Sequence, residues 1–189
     1  RFMRMEMSGN LLDDEDISAD EIVSTQDNRF GMPANLRVVP TEMQSDMHMF
    51  GLMYAPNDNV TMMAMLPYIQ NTMDHTTYMG MMGTTELGEF TTETSGIGDL
   101  KISALVALYN EGHHNIHGTL GLSLPTGSNT ETDTILTPMN TQPEVRLPYP
   151  MQLGSGTYDL LAGLTYNGYS ANYSWGAQYT GVFRTRHSG

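Results

Sequence analysis

Methionine and histidine supply most of the side chains here that could do unusual chemistry. The chain has 17 Met in 189 residues, and eleven of them fall between Met43 and Met82. A thioether is either a flexible apolar filler or a ligand for a soft ion such as Cu(I). Met73, His75, Met79, Met81 and Met82 fall between two predicted strands, where lipid contact is no explanation for them. They form a candidate Cu(I) or Ag(I) site, with a hydrophobic plug at the mouth of the fold as the alternative. His113, His114 and His117 spell HHxxH across a short turn. Such imidazoles can hold Zn²⁺ or Cu²⁺, or can simply be solvated. Asp14, Asp16, Ser18 and Asp20 have the spacing of a calcium loop, but Ala19 stands where glycine is required and Thr25 where the closing Glu belongs. A solvated acidic loop is the better reading. There is no Gly-x-Ser-x-Gly, P-loop or HExxH, and no enzyme is expected.

The elements that must position these groups are strands. Helical periodicity is weak throughout, apart from one short turn of helix at residues 19–23. Seven strands are predicted, at about residues 1–8, 41–55, 60–72, 98–109, 115–124, 157–166 and 171–185. Long connections (9–40, 73–97 and 125–155) alternate with short turns (56–59, 110–114 and 167–170). A soluble sandwich has no reason to gather its long loops at one end, whereas an outer-membrane barrel does so as a rule. The strand lengths also suit a tilted crossing of a bilayer.

The alternation within the strands assigns faces. Leu100, Ile102, Val106, Leu120, Leu122, Leu160, Leu164 and Trp175 are expected to point outward. Lys101, His117, Asp159, Gln178 and Arg184 are expected to face a lumen. In the second strand Met43, Met47, Met49 and Met53 oppose Glu42, Gln44, Asp46 and His48. A charge facing lipid is destabilising, so the even face is expected to be luminal and these methionines to face lipid. By the same logic Met3, Met5 and Met7 face lipid, and Met63 and Met65 face the lumen. Tyr54, Tyr68, Tyr109, Tyr158, Tyr166, Tyr173 and Phe183 sit near strand ends, as interfacial aromatic girdles do.

Composition limits the function classes. The net charge is −13 with only 8 Lys and Arg, scattered along the chain, which argues against a nucleic-acid surface. No cysteine is present, which excludes disulfides and thiolate metal sites. No apolar run is long enough for a transmembrane helix. The sequence opens and closes in strand patterning, and seven strands are an odd number for a bacterial barrel. It therefore reads as a single, incomplete β-barrel domain over residues 1–189, expected to have lost its N-terminal leader and to continue beyond Gly189.

Three motifs occur in order: Ser95-Gly96-Ile97-Gly98-Asp99-Leu100, then Leu124-Pro125-Thr126-Gly127, then Gly154-Ser155-Gly156-Thr157-Tyr158-Asp159. This order resembles the bacterial outer-membrane transporter-like family named for the MetA pathway of phenol degradation. The resemblance covers roughly Met43 to Arg184. It implies an outer-membrane β-barrel of a Gram-negative cell and does not fix a substrate. The richness in Met and His is not part of that family's pattern. Read from the residues, the glycines permit tight bends and Pro125 ends a strand. Asp99 and Asp159 open their strands and read first as turn caps at a solvated rim.

The expected fold is thus all-β, an antiparallel up-and-down outer-membrane barrel. The leading function is passage of a small solute, with lipid and lipopolysaccharide as surroundings. Two alternatives stand beside it: a Met/His-rich outer-membrane protein that binds Cu(I), and a soluble β-sandwich ligand-binding module.

Overall fold

The computed structural model describes residues 1–28 and 33–185. The segment 186–189, read above as following the last strand, lies outside the described residues. Among the described residues twelve strands occur in order: β1 Phe2–Ser8, β2 Asn10–Leu12, β3 Glu15–Ile17, β4 Val38–Asn57, β5 Val60–Tyr78, β6 Glu86–Ile97, β7 Leu100–Glu111, β8 His114–Leu124, β9 Thr132–Thr134, β10 Glu144–Arg146, β11 Asp159–Tyr169 and β12 Ser174–Arg184. Helix α1 (Ala19–Thr25) and a 3-10 turn (Tyr149–Met151) complete the set.

The long strands form one antiparallel sheet in the order β1-β4-β5-β7-β8-β11-β12, with β6 also on β5. It curls into a half-barrel. Strands β6 and β7 succeed one another along the same neighbour. Ile97 pairs with Tyr68 and Lys101 with Met65, so Gly98-Asp99 is a bend within one long strand row. The row count therefore matches the seven predicted strands, each beside its predicted neighbour. These strands make a single sheet, not the two facing sheets of a sandwich.

The predicted loop at 73–97 is largely strand. β5 runs on to Tyr78, and β6 returns along it from Glu86. Apolar alternation could not reveal β6, because Thr91, Thr92, Glu93 and Thr94 are polar on both faces. Threonine favours strands by its β-branched shape, whatever its polarity. The other two long connections hold small hairpins, β2 with β3 and β9 with β10. Helix α1 fits the predicted helical turn. Ser18 caps it by accepting from the Glu21 N–H, and Ile22 and Val23 pack on Val39 and Tyr78.

Strand β4 has 20 residues. At ~3.3 Å per residue it is about 66 Å long. The sheet has two halves. In the lower half, beside the short turns, whole convex rows are apolar. One runs Leu52, Ala64, Ile102, Leu122, Leu160, Phe183 across six strand rows. The next runs Tyr54, Met62, Ala104, Leu120, Ala162, Gly181. Below these lie Val60, Val106, Gly118, Leu164 and Tyr179. Leu52, Leu120, Leu164, Trp175 and Tyr179 are exposed on this face. In the upper half the same face carries Glu42, Gln44, Asp46 and His48. There Arg4 donates two hydrogen bonds of 2.7 Å to Asp46 and holds its carboxyl below the ordinary range.

This division overturns the expected orientation of the β1 and β4 methionines. Met3, Met7, Met43, Met47, Met49 and Met53 lie on the concave face, with Met63, Met65 and Met73 of β5. The charged residues that suggested otherwise belong to the polar half above the band. Further along the same face, Phe50, Leu52 and Tyr54 continue the convex apolar surface.

Candidate functional site

The concave face is lined by residues that register places side by side. One row is Met7, Met43, Met73, Thr92. Below it comes Met5, Ser45, Asn71, Thr94, in which Ser45 donates to Asn71 at 2.7 Å and Asn71 to Thr94 at 3.4 Å. Further down, Gly51, Met65, Lys101, Ser123, Asp159 and Arg184 form one row.

A strap formed by residues 125–155 folds across this face. Met151 is fully buried against Met43 and Met73, with Leu147 beside it. The Met151 carbonyl accepts from the Thr94 hydroxyl at 2.8 Å. Strap and sheet together enclose a hollow bordered by Met47, Met49, Met65, Lys101, Asp159 and Arg184, with Tyr149 and Gln152 on the strap side.

The three sequence motifs meet where the strap is tied down. The Asp99 carboxylate accepts from the Gly127 N–H at 3.0 Å, from the Ser155 N–H at 2.8 Å and from the Ser155 hydroxyl at 2.6 Å. The Thr126 hydroxyl donates to the Gly98 carbonyl and accepts from the Leu100 N–H, both at 2.9 Å. Gly127 and Gly154 cross in backbone contact. A Cβ at Gly127 would lie 2.7 Å from the Leu153 carbonyl oxygen and 2.8 Å from the Gly154 Cα. Asp99, read from sequence as a rim cap, is thus the clasp joining both ends of the strap.

The other expected residues separate into groups. Lys101, Asp159 and Arg184 share the row across the hollow, where Arg184 Nε stands 3.7 Å from Asp159 Oδ2. His117 and Gln178 lie on the same concave face, flanking Thr165 in a lower row. That row is six residues below the first along β8, about 20 Å away.

The expected soft-metal loop is not assembled. Met73 and His75 are buried in the body of β5, whereas Met79, Met81 and Met82 are exposed at its turn. Six residues of extended chain put Met79 about 20 Å from Met73, so the five cannot share one ion. His75 stacks on Phe90 with ring centroids 4.7 Å apart, and burial pushes its imidazole below the ordinary value of 6.5. The turn is held by Arg37, which donates to the carbonyls of Met79, Gly80 and Gly83.

The HHxxH residues also part. His114 stacks on Tyr166 and its Nδ1 pairs with the Tyr166 hydroxyl at 2.8 Å, while His113 meets the edge of Tyr169. His114 and His117 are three apart on one strand and face opposite ways. Among the described residues, no three His, Cys, Asp or Glu side chains are grouped to hold a metal. The acidic segment read against a calcium loop forms the β2–β3 hairpin and the cap of α1 instead.

The sheet is thus open, antiparallel and curled like a half-barrel, with an apolar convex face and a strapped concave hollow. A family profile described as "Putative MetA-pathway of phenol degradation" matches residues 27–188, and the chain belongs to that family. No curated protein matches the chain.

Proposed function

We propose that this chain is part of an outer-membrane β-barrel of a Gram-negative cell that passes a small solute through its interior. The observation that carries this reading is the polarity of the lower half. Its exposed convex rows are aliphatic and aromatic over about nine residues per strand, enough to cross a bilayer at a tilt. A sheet in water exposing that much contiguous apolar surface would aggregate. Lipid covers the convex face and lipopolysaccharide surrounds the polar upper half. Tyr166 and Trp175 mark the lower interface, and Tyr68 and Tyr158 the upper one.

The solute meets thioethers on one wall, Lys101 and Arg184 on the other, and the strap between them. A constriction of this kind selects by size and by charge. The test is permeation through the intact protein in lipid vesicles, comparing small anions with small cations. Lys101→Glu is expected to shift the ratio of the two permeabilities toward cations by several-fold without changing the fold. Absence of any permeation by the intact protein, or a ratio indifferent to residue 101, contradicts the reading.

A further inference from the structure

The two faces of the sheet are built from different apolar residues. Apart from Met62, the convex rows use Leu, Ile, Val, Ala and aromatics, the ordinary strand set. The concave face of β1, β4 and β5 uses methionine almost alone. Methionine is a poorer strand former than Val or Ile, and its flexibility makes it a weakly specifying filler. Packing by itself does not call for this asymmetry.

The densest sulfur group is the row of Met7, Met43 and Met73. Met7 pairs directly with Met43, and Met43 pairs directly with Met73. Directly opposed residues on one face have Cβ atoms about 5 Å apart, so three flexible side chains on adjacent strands can bring their sulfurs to one point. Met151 closes the group from the strap side, packed on Met43 and Met73. A hollow bordered by Met7, Met43 and Met73 opens on it, and Met7 is the accessible member at 45% exposure.

We propose that Met7, Met43 and Met73, closed by Met151, bind a soft monovalent cation of the Cu(I) or Ag(I) type. Thioethers are neutral soft donors, so such a site holds these ions and rejects hard ones such as Na⁺, Mg²⁺ and Ca²⁺. The proposal goes beyond solute passage and does not depend on it, because ion binding is read in detergent solution with no membrane to cross.

The experiment uses the full chain refolded in detergent micelles. Anaerobic Cu(I) is competed against a coloured Cu(I) chelator, and copper X-ray absorption reports the bound atoms. One tight ion per chain with a sulfur-dominated shell is expected. Met7→Leu combined with Met43→Leu and Met73→Leu keeps the apolar bulk and removes the sulfurs, and is expected to weaken binding at least about tenfold, or 1.4 kcal/mol. Met7→Leu alone, at the exposed member, is expected to weaken it measurably and decides the matter if the triple variant fails to fold. Met79→Leu with Met81→Leu and Met82→Leu is expected to leave affinity unchanged. No binding by the parent chain, a shell of nitrogen and oxygen, or full affinity after loss of the row sulfurs overturns the proposal.

Discussion

The upper and lower halves of the β4–β5 hairpin obey one alternation and yet read as opposites. In both, the odd positions of β4 look onto the concave face, carrying Met43 and Met47 above and Met49 and Met53 below. The even positions change character along the same strand, from Glu42, Gln44 and Asp46 to Phe50, Leu52 and Tyr54. Register fixes which way a side chain points. Depth along the strand fixes what surrounds it. A charge therefore reports on the lumen only if its height is known, and β4 is long enough to carry charges where no lipid is expected.

The largest expected effect breaks this comparison directly. Leu52→Arg and Gln44→Arg place the same charge on the same face of the same strand. The first puts it in the apolar band and is expected to reduce stability by about 2–4 kcal/mol. The second puts it in the polar half and is expected to stay within about 0.5 kcal/mol. Urea unfolding in lipid vesicles measures both, and equal losses would dissolve the distinction between the halves.

Next in size is the clasp. Asp99→Asn keeps the shape but removes the charge that holds three donors, at an expected loss of about 2 kcal/mol from the strap. Limited proteolysis is expected to cut within residues 128–152, while hydrogen exchange in β7, β8, β11 and β12 stays protected. Uniform loosening of the whole sheet would mean that the strap is not a separate unit.

The sequence made the lower half legible and hid much of the upper half, for physical reasons. Leu120, Leu122, Leu160 and Leu164 announce their strands because one face is aliphatic and the other is not. Thr91 to Thr94 announce nothing, because both faces of β6 are polar. The expectation that the β4 methionines face lipid fails because Glu42, Gln44, Asp46 and His48 are charged or polar by their height along the strand and not by facing a lumen. The motifs around Gly98, Gly127 and Gly154 stood out as strings. Their meeting at Asp99 depends on the fold of the strap, which carries no periodic signal. Likewise Met7, Met43 and Met73 are far apart in sequence, and only strand register brings them into one row.

The smallest effect is acid loosening of the upper half. Burial lowers the His75 pKa, so the folded state resists protonation more than the unfolded chain does. That stability is complete above the unfolded value of about 6.5 and declines as pH falls below it. Hydrogen exchange in the β5–β6 hairpin is expected to quicken between pH 7 and pH 5, with the lower half unchanged. His75→Phe is expected to abolish the difference.

The central claim is that the thioether face is the interior and the aliphatic face meets lipid. The chain contains no cysteine, so single cysteines can be introduced without background. Leu52→Cys, Leu122→Cys and Leu164→Cys test the convex face, and Met53→Cys, Ser103→Cys and Met65→Cys the concave one. Each variant of the intact protein is reconstituted in lipid vesicles, exposed to a water-soluble thiol reagent, and separately labelled with a fluorophore for quenching by brominated lipid. Aqueous labelling of the concave set and lipid quenching of the convex set are expected. Lipid quenching at Met53 and Met65 together with aqueous labelling at Leu52 and Leu122 would contradict the claim.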